Sequence, residues 1–222
     1  MNEEKESVVM LNSGGFDSVL MAHMVREDNP NAIIYSLAFD YGQRNAEYEL
    51  ACARKVAEKL DLVHIELKIP MFFSEYNVHI AKVEGYSSEC PFYYSDDYIP
   101  MRNMVFLSYA LSLAQSRKAN KVYIAVIKMD EPYLDASLEF LDYVNSVAYM
   151  AGIQIHCPLV TEYKGEQLEE IKKYNITQDD FFSCNHPTNE GKPCGKCPDC
   201  LAIKYIYENL ANSCRQKENK KV

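Results

Sequence analysis

The stretch that decides the fold of this chain is Val8-Val9-Met10-Leu11-Asn12-Ser13-Gly14-Gly15-Phe16-Asp17-Ser18. Its four apolar residues, 8–11, predict a short buried strand. The turn after them is rich in glycine and hydroxyl residues, and a helix is predicted from about Ser18 to Asp28. A strand that leads through such a turn into a helix is typical of an α/β fold.

Apolar and helical segments alternate along the rest of the chain. The further predicted strands are 33–39, 63–67, 122–127 and 153–155, and the further predicted helices are 46–60, 103–116, 138–150, 166–174 and 201–210. This alternation predicts a doubly wound, parallel, five-stranded sheet with helices on both faces.

Two segments depart from the alternation. Residues 70–100 scatter tyrosines among Ser, Asp, Gly and Pro, which predicts a long loop or small subdomain, and such segments are often functional. Residues 181–222 contain a cysteine cluster and are expected to pack as a metal-binding segment on the domain formed by residues 1–180. A chain of 222 residues is short enough for one such domain.

Charge and hydropathy limit the partners of the chain. With 23 Lys+Arg against 32 Asp+Glu the net charge is −9, which repels phosphate backbones and makes a nucleic-acid partner unfavourable. No segment reaches the roughly 20 apolar residues that span a bilayer, and residues 1–7 lack the apolar core of a signal peptide. A cytoplasmic protein without a membrane partner is therefore expected.

The turn after the first strand carries groups that bind anions. It lies at a predicted helix N-terminus, where free N–H groups and the helix dipole attract negative charge. The Ser13 and Ser18 hydroxyls can donate to phosphate oxygens, and a carboxylate beside them, Asp17, suggests a bridging Mg²⁺. A plain glycine-rich turn is the alternative. The candidate nucleotide-binding residues of this loop are Leu11, Asn12, Ser13, Gly14, Gly15, Phe16, Asp17 and Ser18.

Ser13-Gly14-Gly15-Phe16-Asp17-Ser18 resembles the S-G-G-x-D-S signature of PP-loop ATP pyrophosphatases and lacks the Gly-Lys-Ser/Thr ending of a Walker A loop. The resemblance implies an adenine nucleotide alpha hydrolase-like fold and cleavage of ATP between the α and β phosphates. A second segment points to one family within this class. Residues 39–44, Phe-Asp-Tyr-Gly-Gln-Arg, resemble the corresponding segment of the 7-cyano-7-deazaguanine synthase (QueC) family and match it residue for residue. An isolated hexamer of this kind would otherwise be interpreted as a turn.

A further segment, Ile99-Pro100-Met101-Arg102-Asn103, resembles the V-P-G-R-N segment of the QueC family, with methionine in place of glycine. The resemblance implies that Arg102 stabilises negative charge on the α-phosphate, whereas the alternative makes Asn103 a helix cap and Arg102 a surface charge. From the two segments together, the further candidate nucleotide-binding residues are Phe39, Tyr41, Gln43, Arg44, Arg102 and Asn103.

Four cysteines are spaced as C-x9-C-x2-C-x2-C, at Cys184, Cys194, Cys197 and Cys200. In a reducing compartment such a cluster favours a metal site over disulfides, and four thiolates are typical of a closed structural zinc site. An iron–sulfur cluster and unligated core thiols are the alternatives. The spacing also resembles the zinc segment of the QueC family, so the resemblance extends from Val8 to Lys204.

The resemblance implies a reaction and its participants. The family adenylates 7-carboxy-7-deazaguanine with ATP and Mg²⁺, transfers the acyl group to ammonia, and converts the amide to the nitrile with a second ATP. The family habit also implies a homodimer. The catalytic residues that the motifs imply are Ser13, Asp17, Ser18, Arg102 and Lys164.

The chain departs from the family between residues 125 and 137, in the segment that meets the deazapurine. Tyr133 and Asp135 are retained and Lys128 is new, so these three are the candidate substrate-binding residues. The departure leaves open a protein or peptide amine as acceptor, as in QueC-like enzymes of CBASS anti-phage systems that attach a deazaguanine to a protein. Two further hypotheses are a PP-loop tRNA thiolation enzyme and a non-enzymatic zinc-ribbon module.

Overall fold

The computed structural model describes residues 5–70, 99, 101–130, 133–162 and 166–219. Five strands form one sheet in which all pairings are parallel: β1 (Ser7–Leu11), β2 (Ile33–Asp40), β3 (Val63–Lys68), β4 (Lys121–Tyr123) and β5 (Gln154–His156). Their order is β3-β2-β1-β4-β5. The chain thus winds outward from β1 in both directions, and the predicted doubly wound parallel sheet is confirmed.

Within the described ranges, six helices connect and cover the strands: α1 (Phe16–Asp28), α2 (Ala46–Lys59), α3 (Arg102–Ser116), α4 (Leu138–Tyr149), α5 (Leu168–Tyr174) and α6 (Pro198–Asn219). Single turns of 3₁₀ helix occur at Lys128–Asp130 and Leu134–Ala136. Among the described residues, the model contains no helix with the length and apolar character required for a membrane span.

Residues 8–11 of strand β1 are buried and contribute to cores on both faces of the sheet. Val8 and Met10 pack in the core that contains residues of α1, α5 and α6, whereas Val9 and Leu11 pack with α3 and α4. Successive strand side chains point to opposite faces, so an unbroken apolar strand needs helices on both sides. The apolar run 8–11 therefore requires the observed arrangement, in which helices cover both faces of the sheet.

The predicted elements exist, and the differences lie at their ends. The fourth strand forms a ladder only over Lys121–Tyr123, because beyond it the chain turns along the cavity described below. The last helix is longer than predicted and extends from Pro198 to Asn219. Proline is favoured in the first turn of a helix, and Pro198 begins this helix three residues before its predicted start at residue 201. The predicted loop at 70–100 falls almost entirely outside the described residues.

Candidate active site

A cavity of about 470 Å³ opens at the carboxyl ends of the strands, between β1 and β4, where the winding direction of the sheet reverses. Ligands of open α/β folds bind at this position, because the loops that leave neighbouring strands diverge there. Among the described residues, four parts of the chain line the cavity. They are the loop between β1 and α1, the wall formed by residues 37–49 and the start of α3, the segment 124–136 after β4, and the segment around the start of α6.

The loop between β1 and α1 is held by its own side chains. The buried Asn12 amide donates to Ser36 Oγ at 3.0 Å and accepts the Gly14 N–H at 3.1 Å. Gly14 has a φ of +78°, and a Cβ there would lie 1.9 Å from the carbonyl oxygen of Glu49 on α2. Gly14 thus has both a conformation and a neighbour that only glycine accommodates.

The predicted phosphate-binding hydroxyls lie together. Ser13 Oγ and Ser18 Oγ are 2.9 Å apart, and Ser13 Oγ also accepts the Gly15 N–H at 3.2 Å. Both serines and Asp17 line the cavity beside the first turn of α1. The arrangement provides two hydroxyls and one carboxylate at a helix N-terminus, a group that fits a phosphate accompanied by Mg²⁺.

The wall opposite the loop brings together the two other predicted motifs. Phe39, Tyr41, Gln43 and Arg44 line the cavity, as do Arg102 and Asn103. Arg102 Nη1 donates to the Tyr41 hydroxyl at 3.4 Å, and Phe39 stacks on Phe106 of α3 with ring centroids 4.5 Å apart. Sequence reasoning missed Phe106, because an aromatic residue inside an apolar helix carries no signal of exposure to a cavity.

The start of α3 is fixed by Asp135. The carboxylate accepts the Asn103 N–H at 2.7 Å, and the Asn103 side chain donates to the Asp135 carbonyl at 2.9 Å. Asp135 is only 3% exposed, and burial raises the pKa of its carboxyl, while the Asn103 N–H opposes that rise. Asp135 thus lines the cavity as predicted and also caps the helix that carries Arg102.

The residue before α3, Met101, has a φ of +56°. This left-handed conformation costs a side-chain-bearing residue about 1–2 kcal/mol. We expect Met101→Gly to raise the unfolding free energy by about 0.5–1 kcal/mol, because glycine relieves this strain but loses more backbone entropy on folding. Urea denaturation measures the change. Met101→Ala keeps the strain and should show no gain, and a Met101→Gly chain less stable than Met101→Ala would contradict the prediction.

Glu49, which sequence analysis did not single out, also lines the cavity. Its carboxylate accepts from Asn45 Nδ2 at 3.0 Å and from Gln43 Nε2 at 3.3 Å. Burial raises the pKa of this carboxyl from 4.5 to about 7, against the effect of the Gln43 amide and of Arg102. A glutamate on an otherwise ordinary amphipathic helix is usually a surface charge, so the sequence contained no sign of this position.

The raised pKa of Glu49 predicts a pH dependence of stability. In the folded chain the carboxyl keeps its proton up to about pH 7, whereas in the unfolded chain it loses the proton near pH 4.5. Its contribution to the unfolding free energy is therefore present below pH 4.5 and is lost as the pH rises to 7. The glutamine side chain of Glu49→Gln does not titrate. When the pH rises from 5 to 7.5, the unfolding free energy of this variant should therefore increase by about 2 kcal/mol relative to that of the original chain. Urea denaturation of the ligand-free proteins at both pH values tests this, and an equal pH dependence of the two proteins would refute it.

The three predicted substrate-binding residues differ in their position relative to the cavity. Tyr133 and Asp135 line the cavity, whereas the exposed Lys128 is not among its described lining residues. The backbone N–H of Lys128 donates to the Glu162 carbonyl at 2.9 Å, which ties this turn to the chain beyond β5. Lys164 lies outside the described residues, and its catalytic role stays a prediction.

The four predicted metal ligands converge. The sulfur atoms of Cys184, Cys194, Cys197 and Cys200 all lie within 4.8 Å of one another, and two of the pairs are 4.0 Å apart. A tetrahedral zinc ion with Zn–S bonds of about 2.3 Å needs sulfur atoms about 3.8 Å apart, so the cluster could hold one metal ion such as zinc. Backbone N–H groups of Lys196 and Cys197 lower the pKa of the Cys194 thiol to about 6, whereas burial raises the pKa of the Cys184 and Cys200 thiols.

The four-cysteine cluster adjoins the cavity, as expected if a closed metal site fixes the C-terminal segment against the active site. Ser183, immediately before Cys184, lines the cavity, as do Asn185 and Asp199. Asn185 Nδ2 donates to Asp199 Oδ2 at 3.1 Å across the base of α6. These residues follow or precede cysteines, and the spacing of metal ligands does not reveal which neighbouring side chains face a ligand.

Comparison with known proteins agrees with this arrangement. The profile of a family described as "Queuosine biosynthesis protein QueC" matches residues 7–211. The 7-cyano-7-deazaguanine synthase of Leptospira interrogans serovar Lai is 33% identical over 227 residues, which cover 96% of this chain and 90% of the relative. The 7-cyano-7-deazaguanine synthase of Leptospira biflexa serovar Patoc is 31% identical over 221 residues, which cover 89% of this chain and 88% of the relative.

Among solved structures, the NMN synthetase from Francisella tularensis matches with a TM-score of 0.48 and 16% identity over 88% of this chain and 73% of that chain. The family assignment depends on the sequence matches. The profile spans nearly the whole chain, and the Leptospira relatives exceed 30% identity over most of their own lengths. The family resemblance of the sequence motifs is thereby confirmed, and the chain belongs to the QueC family of queuosine biosynthesis proteins.

Proposed function

We propose that this chain is a QueC-type enzyme that activates the carboxylate of 7-carboxy-7-deazaguanine with ATP and joins it to ammonia. The observation that supports this most directly is the shared cavity: the Ser13 and Ser18 hydroxyls lie at one wall and Arg102 at another. The relatives named 7-cyano-7-deazaguanine synthase support a 7-deazaguanine derivative as the product. The reaction forms the amide first and the nitrile second.

In the first step a carboxylate oxygen attacks the α-phosphorus of ATP, the bond to the bridging oxygen breaks, and pyrophosphate leaves. The protein needs no covalent nucleophile, because alignment of the two reactants and neutralisation of charge lower the barrier. The loop residues Ser13 and Ser18 hold the departing phosphates, and Arg102 stabilises charge on the α-phosphate. Magnesium bound by Asp17 and the phosphates would neutralise charge on the leaving group.

In the second step ammonia attacks the acyl carbon, AMP leaves with the electrons of the acyl–oxygen bond, and nitrogen loses a proton to solvent. The amide oxygen then attacks the α-phosphorus of a second ATP, and pyrophosphate leaves. Loss of AMP with the carbon–oxygen bond electrons, and of both amide protons to solvent, yields the nitrile. Tyr133 and Asp135 form the wall on the proposed deazapurine side. Zinc held by the four cysteines would have a structural role, because four thiolate ligands would leave no coordination position for a substrate.

Product analysis tests the proposal and the nature of the acceptor. The protein is incubated with Mg·ATP and 7-carboxy-7-deazaguanine, with and without ammonia, and pyrophosphate and the deazapurine products are measured by mass spectrometry. Nitrile formed only with ammonia supports the proposal. Activation that stalls before nitrile would instead favour a protein amine as acceptor, as in the CBASS-associated alternative. Absence of pyrophosphate under every condition would contradict carboxylate activation altogether.

A further inference from the structure

The segment that leads into the metal cluster is bonded directly to the loop between β1 and α1. The Phe16 N–H, the first amide of α1, donates to Ser183 Oγ at 2.9 Å. One residue earlier, the Phe182 N–H donates to the Gly14 carbonyl at 3.0 Å. These two hydrogen bonds join parts of the chain that are more than 160 residues apart in sequence. Ser183 is also one of the residues that line the cavity.

This contact changes which groups the loop can offer to a phosphate. The amides of Gly14, Gly15 and Phe16 donate to the side-chain oxygens of Asn12, Ser13 and Ser183, respectively. The helix N-terminus therefore does not present the Phe16 amide to the cavity directly. A serine hydroxyl that accepts one hydrogen bond keeps its own hydrogen to donate, and such chains polarise the outer O–H.

We infer that Ser183 is a phosphate-binding residue of the nucleotide site, which relays the Phe16 N–H of α1 to an oxygen of the β- or γ-phosphate through its own hydroxyl. The inference rests on the proposed binding of Mg·ATP at this loop. It assigns to the metal-binding segment a direct contact with the ligand, in addition to its structural role. The motif 13–18 is then incomplete without a residue supplied from the other end of the chain.

The alternative is that Ser183 only fills the place of a phosphate oxygen and moves away when the ligand binds. The two possibilities predict opposite effects of removing the hydroxyl. A relay supplies a hydrogen bond to the phosphate, so its loss weakens binding. A competitor occupies the Phe16 N–H, so its loss releases that amide and strengthens binding. Affinity for a phosphate ligand therefore discriminates between them.

The test uses isothermal titration calorimetry of the metal-loaded full chain with Mg·pyrophosphate and with Mg·ATP. We expect Ser183→Ala to raise both dissociation constants about tenfold, because a hydrogen bond to a charged group is lost. Ser183→Thr keeps the hydroxyl and should stay within about twofold of the original affinity. If Ser183→Ala does not fold, Ser183→Cys tests the same point, since its weakly donating thiol should bind both ligands several-fold more weakly.

Thr188 provides a matched control within the same segment. Its Oγ1 accepts the Lys192 N–H at 3.1 Å, as Ser183 accepts the Phe16 N–H, but Thr188 is not among the described residues that line the cavity. Thr188→Val should leave both affinities unchanged, and metal content, measured by atomic emission, should be one ion per chain in every variant.

The outcomes separate the inference from the proposed function. If the original chain binds both ligands and Ser183→Ala binds them equally well or more tightly, the relay is wrong and the proposed function stands. Equal impairment of Ser183→Thr and Ser183→Ala would also overturn it, because the hydroxyl would not be responsible. If the original chain binds neither ligand, the proposed function and the inference both fail.

Discussion

Gly14→Ala is expected to abolish Mg·ATP binding and to lower the unfolding free energy by about 4 kcal/mol or more. The added methyl carbon would lie 1.9 Å from the Glu49 carbonyl oxygen and 2.8 Å from the Ala53 nitrogen, both on the backbone of α2. Backbone atoms of a packed helix cannot move aside as a flexible side chain can, so the loop or the helix must shift. Urea denaturation and calorimetry with Mg·ATP measure the two effects.

Gly152→Ala is the matched control for this substitution. Gly152 has a φ of +72°, close to that of Gly14, but a Cβ there has no atom within 4 Å among the described residues. Gly152→Ala should lower the unfolding free energy by only about 1–2 kcal/mol, because alanine is strained in the left-handed conformation. It should leave the Mg·ATP affinity unchanged. If Gly14→Ala were no more destabilising than Gly152→Ala, the close approach of the loop to α2 would not be the reason for glycine at position 14.

Loss of the metal is the second change with a large expected effect. We expect Cys197→Ser to reduce bound zinc from one ion per chain to nearly none and to lower the unfolding free energy by about 3 kcal/mol or more, since metal binding contributes directly to folding. Mg·ATP affinity should fall at least about tenfold, because Phe182 and Ser183 bond the loop from the segment that the metal fixes. Atomic emission, urea denaturation and calorimetry provide the three measurements.

Cys52→Ser is the control for this experiment. Cys52 packs against the cluster formed by Phe182, Cys184 and Cys197 but is not one of the four converging ligands. Its substitution should therefore keep the full metal content and the Mg·ATP affinity. A Cys197→Ser chain that loses zinc and still binds Mg·ATP normally would show that the metal segment does not support the nucleotide loop.

The sequence predicted the parts of the fold that periodicity and apolar character determine. The unbroken apolar run of β1 required cover on both faces, and the alternation of strands and helices required parallel pairing, as the structure shows. The ends of elements were less accurate, because tertiary contacts decide them. Pro198 begins α6 at the edge of the cavity, whereas the sequence pattern predicted a start at residue 201.

The parts of the candidate site that consist of consecutive residues could be predicted from the sequence. The loop 12–18 and the segment 39–44 are continuous motifs, and both line the cavity. Glu49, Phe106 and Ser183 were missed, because each reaches the cavity from an element whose local pattern is fully explained by helix packing or metal binding. Their role depends on distances between remote segments, which the order of residues along the chain does not contain.

The reciprocal hydrogen bonds between Asp135 and Asn103 have a consequence for how specificity can diverge in this family. They attach the turn on the proposed deazapurine side to the helix that carries Arg102. A mutation that reshapes this turn for a different base would also displace Arg102, and under the proposed mechanism it would impair activation of any substrate. New substrate preferences should therefore accumulate at other positions of the cavity wall, while Asp135 is retained.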